Sequence, residues 1–272
     1  MKMTFNISLS KVKELARRVF GDNFTSWIHA IRFIYLINQK QIEYYDMEFA
    51  QGMLKIGDVA IDVGANGANW TSILSKSVGS KGKVFAFEAD PYYAVVTRKA
   101  IKLLRLKNLI YLDYGLSDKT ETTWLQVIDI DGKRVNGTGK IVRDSYSHDL
   151  DLKCVPVRLE ALDNLVKVFP EINNTRLMKF DVEGHELMVL EGAKNVIEKA
   201  RPLIIVEFTN PKDLLCFFDR INYDSYVVIN KNLIRRSRQA GKILEGSRPN
   251  SIMIPKEFDF SSKGIICENV FE

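Results

Sequence analysis

The sequence predicts an α/β protein: a doubly wound, mostly parallel sheet preceded by a helical extension. Three observations carry this. Residues 59–63, VAIDV, form a mostly β-branched run that reads as a strand buried on both faces. The chain then turns through Gly64, Ala65, Asn66, Gly67 and Ala68, which are small or tolerant of positive φ, into a helical pattern at Ile73, Leu74 and Val78. The next apolar run, residues 83–90 (KVFAFEAD), carries an acid, Glu88, where a nucleotide-binding sheet places its ribose-hydroxyl ligand.

The identity of the nucleotide follows from what the turn lacks. The dinucleotide fingerprint wants glycine where this chain has Asn66 and again where it has Asn69, so a pyrophosphate is not the natural guest. A loop that begins with the acid Asp62 suits a cofactor bearing an amino group and a positive charge, a description that S-adenosylmethionine meets. Asn69 and Thr71 are read as caps of the following helix.

Length and composition set the bounds. With 272 residues, 46% of them hydrophobic, the chain has material for one large α/β domain and an extension. A net charge of +5 permits an anionic partner such as nucleic acid, a nucleotide sugar or a membrane surface, and equally describes a solvated basic surface. Cys154, Cys216 and Cys267 are widely separated, which points to neither a disulfide framework nor a cysteine zinc site and fits a reducing, cytoplasmic setting. No cleavable signal or bilayer-spanning run is expected.

In order, residues 1–52 read as a helical extension and 53–272 as the main domain. Val12, Leu15, Ala16, Val19 and Phe20 mark an amphipathic helix whose other positions carry Lys11, Lys13, Arg17 and Arg18. Packing on the main domain or on a second copy is its ordinary role, and peripheral contact with lipid or nucleic acid is the alternative. Helices around 27–36 and 44–54 follow, and the extension is a candidate roof for the cofactor. Asp90 and Pro91 open a helix through Leu104, and residues 108–114 form a third strand that exits through Gly115, Leu116, Ser117 and Asp118. A hairpin insertion at about 121–151 interrupts the alternation. Residues 122–130 alternate as a half-exposed strand and Asp131-Gly132 is a turn signal. As a lid it would offer Lys140, Arg143 and His148 to a substrate; as a solvated hairpin it would have no catalytic part.

Residues 177–182 are the fourth central strand, and Asp181, Glu183, His185 and Glu186 crowd its carboxyl end. Acids and an imidazole at the end of a buried strand are not explained by packing, which marks this as the place of chemistry. Residues 203–208 form the next strand, with Glu207 near its end. The basic stretch 230–248 is expected to be an exposed loop with a short helix, and residues 251–254 form a last strand.

The motifs VAIDVGANGANWT, VFAFEADP, YGLSD, VRLEALDNL and LMKFDVEGHELMVLEGA followed by PLIIVEF resemble, in order and spacing, the FkbM family of S-adenosylmethionine-dependent methyltransferases. The likeness runs over residues 52–208. Two positions depart from it: Ala89, where the family usually has proline, and His185, where a small residue is commoner. The resemblance implies a class I methyltransferase, Rossmann-like, with a seven-stranded sheet whose last strand is reversed. It also implies O-methylation of a hydroxyl on a sugar, glycan or other small molecule. Carried over, Asp62, Gly64, Asn66 and Gly67 would line the methionine end of the cofactor. Glu88, with Ala89 beside it, would take the ribose, Leu116 and Ser117 would meet adenine, and Asp181 would also touch the cofactor.

Methyl transfer from a sulfonium needs the acceptor oxygen in line and relieved of its proton. His185 is the candidate base, oriented or replaced by Asp181 or Glu183, unless it begins its helix facing solvent. In the alternative mechanism Asp181 and Glu207, similar in position to the acids of catechol-type O-methyltransferases, hold Mg2+ or Mn2+. Those enzymes carry an amide side chain after the second acid, where this chain has Phe208, with Asn210 two residues on. Competing functions are methylation of RNA ribose, which lacks a base-stacking pattern here, and a non-catalytic cofactor-binding scaffold. A homo-oligomer is compatible with the sequence.

Overall fold

The computed structural model describes residues 9–38, 45–128, 139–142, 154–207, 211–229, 232–235, 250–260 and 267–268. The chain begins with helix α1 (Leu9–Asn38), where two separate helices were expected. They join in one run that breaks only at Gly21, whose φ of 74° suits a residue without a Cβ. The polar residues after the break stay helical because Thr25 and Ser26 return their hydroxyls to Asp22 O (3.1 Å) and Asn23 O (2.8 Å). The side chains of the basic segment 11–20 lie outside the description. Helix α2 (Tyr45–Met53) buries Met47, Ala50 and Met53.

The central sheet is made by β1 (Val59–Val63), β2 (Lys83–Phe87), β3 (Leu109–Leu112), β8 (Thr175–Phe180), β9 (Leu203–Val206), β10 (Tyr223–Ile229), β11 (Asn232–Arg235), β12 (Ser251–Pro255) and β13 (Cys267–Glu268). Its spatial order is β13-β11-β10-β12-β9-β8-β1-β2-β3. From β3 to β9 the strands are parallel, and β12 lies antiparallel to both β9 and β10. That is the expected sheet with its reversed strand, but it has nine strands instead of seven. The two additions are β11 and β13: residues 232–235 of the basic stretch fold back on β10 as β11, with Leu233 buried and Arg235 paired with Asp224 at 2.7 Å, and β13 pairs with β11. Lys231, Arg236, Arg238, Lys242 and Arg248 lie outside the described residues.

Helices α3 (Asn69–Val78) and α4 (Pro91–Leu104) follow β1 and β2, and α6 (Glu186–Gly192), α7 (Lys194–Ala200) and α8 (Pro211–Arg220) follow β8 and β9, with the short α5 (Leu162–Leu165) before β8. Both faces of the parallel strands are buried, as crossover helices require. Ile61, Val63, Met178, Phe180, Ile204 and Val206 face α6, α7 and α8, while Ala60, Leu177 and Ile205 face α2 and α3. Two charged residues interrupt the second face. Asp62 and Lys179 are partners in the β1–β8 register, and each is only 1% exposed.

A second sheet, in the order β4-β7-β5-β6, is built from β4 (Gly115–Leu116), β5 (Glu121–Gln126), β6 (Lys140–Val142) and β7 (Cys154–Glu160). Its buried face carries Leu125, Val157 and Leu159, so β5 alternates as the sequence pattern requires. The predicted turn at Asp131 and Gly132 lies outside the described residues, as do Arg143 and His148.

Candidate active site

The site begins where β1 ends. Gly64 has φ +85°, and a Cβ there would stand 2.1 Å from the carbonyl oxygen of Asp181, so only glycine lets the two strand ends meet. The turn continues through Asn66, Gly67 and Ala68, all at positive φ. Its amides are already engaged: Gly64 and Ala65 donate to Phe87 O, Asn66 to Glu88 Oε2 (2.9 Å), Gly67 to Thr97 Oγ1 (2.9 Å) and Ala68 to Ala65 O. A phosphate cradle needs those donors turned toward the ligand. The expected caps are not formed. Ala68 holds the cap position without a side-chain bond, Asn69 is the first helical residue, and Thr71 donates instead to Asp62 Oδ2 at 2.5 Å.

Glu88 is 7% exposed and accepts from Asn66 N and from Asp90 N at 2.9 Å each. Burial pushes its carboxyl up to about 7, against the pull of those two amides. Burial likewise raises Asp62 to about 6, although Thr71 and Lys179 oppose it. Asp62 Oδ1 and Asn66 Oδ1 are buried without a hydrogen-bond partner.

At the other end, Asp181 N extends the ladder to Val63 O at 3.0 Å, and the chain swings through Glu183 (φ +51°) and Gly184 (φ +97°). Carboxylate oxygens of Asp181, Glu183 and Glu207 lie within 4.8 Å of one another. Burial raises the Glu183 carboxyl, its acidic neighbours raise it further, and Lys140 draws it back. Lys179, from inside the sheet, reaches Asp181 at 3.2 Å. His185 does not face solvent: it is 9% exposed, with Nε2 2.9 Å from the buried Ser117 Oγ.

These parts enclose a cleft that opens to solvent at its mouth. Of the residues expected to hold cofactor or do chemistry, Gly64, Asn66, Glu88, Ala89, Leu116, Asp181, Glu183 and His185 form its wall. Asp62, Gly67, Ser117 and Glu207 do not. The far wall comes from Leu125, Gly139, Ile141 and Leu159, the first three in the hairpin insertion for which a lid was one of the two readings, and not from the helical extension. Helix α1 instead braces the turn from behind, with the Phe33 ring where a Gly67 Cβ would fall (2.4 Å).

Lys179 was not singled out from the sequence. Its signal was present as a lysine inside an otherwise apolar strand, five residues before Gly184 in the LMKFDVEGHE motif. Phe33 gave none, because helical periodicity does not say which residue meets a turn.

A strand order with the reversed β12 and a cleft at the carboxyl ends of β1, β2 and β8 define a class I methyltransferase fold. The chain belongs to the FkbM methyltransferase family: the Methyltransferase FkbM domain matches residues 62–230, more than half of its length. A hexuronic acid methyltransferase of Haloferax volcanii, AglP, is 32% identical over 161 residues, covering 58% of this chain and 59% of that protein. The chain thus spans about three fifths of that relative. The crystal structure of a methyltransferase FkbM from Methylobacillus flagellatus KT superposes with a TM-score of 0.50 at 13% identity, over 93% of this chain and 63% of that one. Among the described residues no helix is long and apolar enough to cross a membrane.

Proposed function

We propose that this protein binds S-adenosylmethionine in the cleft and transfers its methyl group to a hydroxyl of a sugar or glycan, a hexuronic acid being the first acceptor to test. The observation that carries the reading is the pairing of unmet acceptors with an enclosing wall. Asn66 Oδ1 is buried without a donor, beside Glu88. The cofactor brings an ammonium and two ribose hydroxyls, which are donors of the kind these groups lack. Gly64 itself lines the cleft, and Asp62, two residues before it, is held by the Thr71 hydroxyl. The name of the Haloferax volcanii relative directs attention to uronic acids.

Asp181 is the proposed base. It lines the cleft, and the ion pair with Lys179 orients it. Glu183 and Glu207 complete an acidic rim that would steady the proton as the oxygen attacks. A second reading gives Asp181, Glu183 and Glu207 a divalent ion, Mg2+ or Mn2+, favoured by the closeness of their oxygens; such an ion would acidify the acceptor hydroxyl. The amide candidate Asn210, like Phe208, lies outside the described residues.

Titration calorimetry with S-adenosylhomocysteine, using NAD as control, followed by transfer of labelled methyl to a panel of uronic acids and neutral hexoses, tests the proposal. Binding of the homocysteine compound alone, with label in a sugar, is expected. Failure to bind it overturns the reading, and loss of transfer in EDTA with restoration by Mg2+ favours the metal form.

A further inference from the structure

Helix α6 grips residues 115–118 at both of its ends. At its start, His185 Nε2 lies 2.9 Å from Ser117 Oγ. At its end, Gly192 approaches so closely that a Cβ would stand 1.8 Å from Ser117 O. The same residue is tied to the second sheet, since Ser117 N donates to Glu160 O at 2.9 Å, and Ser117 is fully buried. Leu116, the residue before it, is part of the cleft wall.

The proton inventory of this group is restrictive. Ser117 Oγ has one hydrogen, and the Asp118 carboxylate, 2.8 Å away, accepts it. Toward His185 the hydroxyl oxygen is therefore an acceptor, so His185 Nε2 carries the hydrogen and donates. A nitrogen that holds its proton in this way takes none from an acceptor alcohol.

We infer that His185 is a positioning residue for the adenine of the cofactor: through Ser117 it fixes the Leu116–Ser117 backbone against which the adenine lies. The inference rests on the proposed function, with adenine at Leu116 and Ser117 as the family resemblance implies.

Calorimetry with two ligands separates the outcomes. S-adenosylhomocysteine spans the whole cleft, whereas 5′-methylthioadenosine keeps the adenine and ribose but lacks the amino-acid end. His185→Ala is expected to weaken both by about tenfold, the scale of one buried hydrogen bond. His185→Gln, whose amide reaches the same hydroxyl, should return both to within about threefold of the wild type. Ser117→Ala removes the acceptor and keeps the imidazole, so it should match His185→Ala and serves if that variant does not fold. Unchanged affinities in the alanine variants overturn the inference, as does a loss confined to S-adenosylhomocysteine, which would put His185 at the amino-acid end. Equal loss in the alanine and glutamine variants overturns it too, since it would mean that the imidazole acts only as packing. A wild-type protein that binds neither ligand overturns this inference together with the proposed function.

Discussion

The two ends of the cleft are held by different means. Around Gly64 and Glu88 the ligand would meet a backbone whose amides are all engaged by protein oxygens and whose carboxylates are buried. Around Asp181 and Glu183 it would meet side chains, one of them 45% exposed, on a turn that leaves the allowed regions favoured by ordinary residues. The first arrangement tolerates one ligand shape, because any shift must break several buried bonds at once. The second is decided by which side chains stand there, and so is suited to variation in the acceptor.

The sharpest way to break that contrast is at Gly64. Gly64→Ala puts a Cβ 2.1 Å from Asp181 O, on backbone at φ +85°, so β1 and β8 must part where both ends of the cleft join. Binding of S-adenosylhomocysteine should fall by about a hundredfold or more, with a lowered Tm, a loss of at least about 3 kcal/mol. Calorimetry and a thermal melt check this; wild-type affinity in the variant would mean that the turn is not part of the ligand site.

Asp181→Asn should act on one end alone. Labelled-methyl transfer at saturating cofactor is expected to drop by about 10²- to 10⁴-fold, the usual contribution of a positioned base, while the Kd for S-adenosylhomocysteine stays within about threefold. A matching loss in both quantities would move Asp181 from the acceptor to the cofactor.

How much of this was legible in the chain differs in the same way. The parallel strands could be read because burial on both faces leaves continuous apolar runs, and Glu88 could be found because its distance from the turn is set by one crossover. The second sheet's part in the wall was legible only as one of two roles for the hairpin insertion, because Ile141 reaches the cleft through pairing of β6 with β5, a contact that local pattern does not encode. Lys179 was hidden for a related reason, since a buried lysine has meaning only once the register sets it opposite Asp62 and beside Asp181. The caps at Asn69 and Thr71 were misread because the residue types were right, but the left-handed turn at Ala68 delays the helix and Asp62 captures the Thr71 hydroxyl.

Proton linkage sharpens the cofactor end. Glu88 sits near 7 in the folded protein against an ordinary 4.5, raised chiefly by burial. Between those values the folded protein keeps a proton that the unfolded chain releases. The free protein is therefore stabilised at low pH and loses that contribution as pH rises from about 4.5 through about 7. Ribose hydroxyls donate best to the ionised carboxylate, so ligand binding should release a proton below that value. Affinity for S-adenosylhomocysteine should rise with pH and level off above about 7, with a limiting slope of about tenfold per unit. Calorimetry at pH 6 in buffers of different ionisation enthalpy counts the proton, and Glu88→Gln should abolish it. Proton release that persists in the variant would assign it elsewhere, Asp62 being the next group to examine.

The smallest effect expected lies at the acceptor end, on the part of the wall that the second sheet supplies. Lys140 stands exposed between Gly139 and Ile141, which line the cleft, and its charge reaches Glu183. For an acceptor that bears a carboxylate, its charge would offset repulsion from Asp181 and Glu183. Exposure limits what it contributes, because water and salt screen it. Lys140→Ala should therefore raise KM for a uronic acid by about two- to fivefold at low salt and leave kcat unchanged. A neutral hexose should show no change, and added salt should erase the difference for the acid. An equal rise for acidic and neutral sugars would mean that the stem of Lys140 only packs on the wall, and the preference for an acidic acceptor would then have to come from another element of the site.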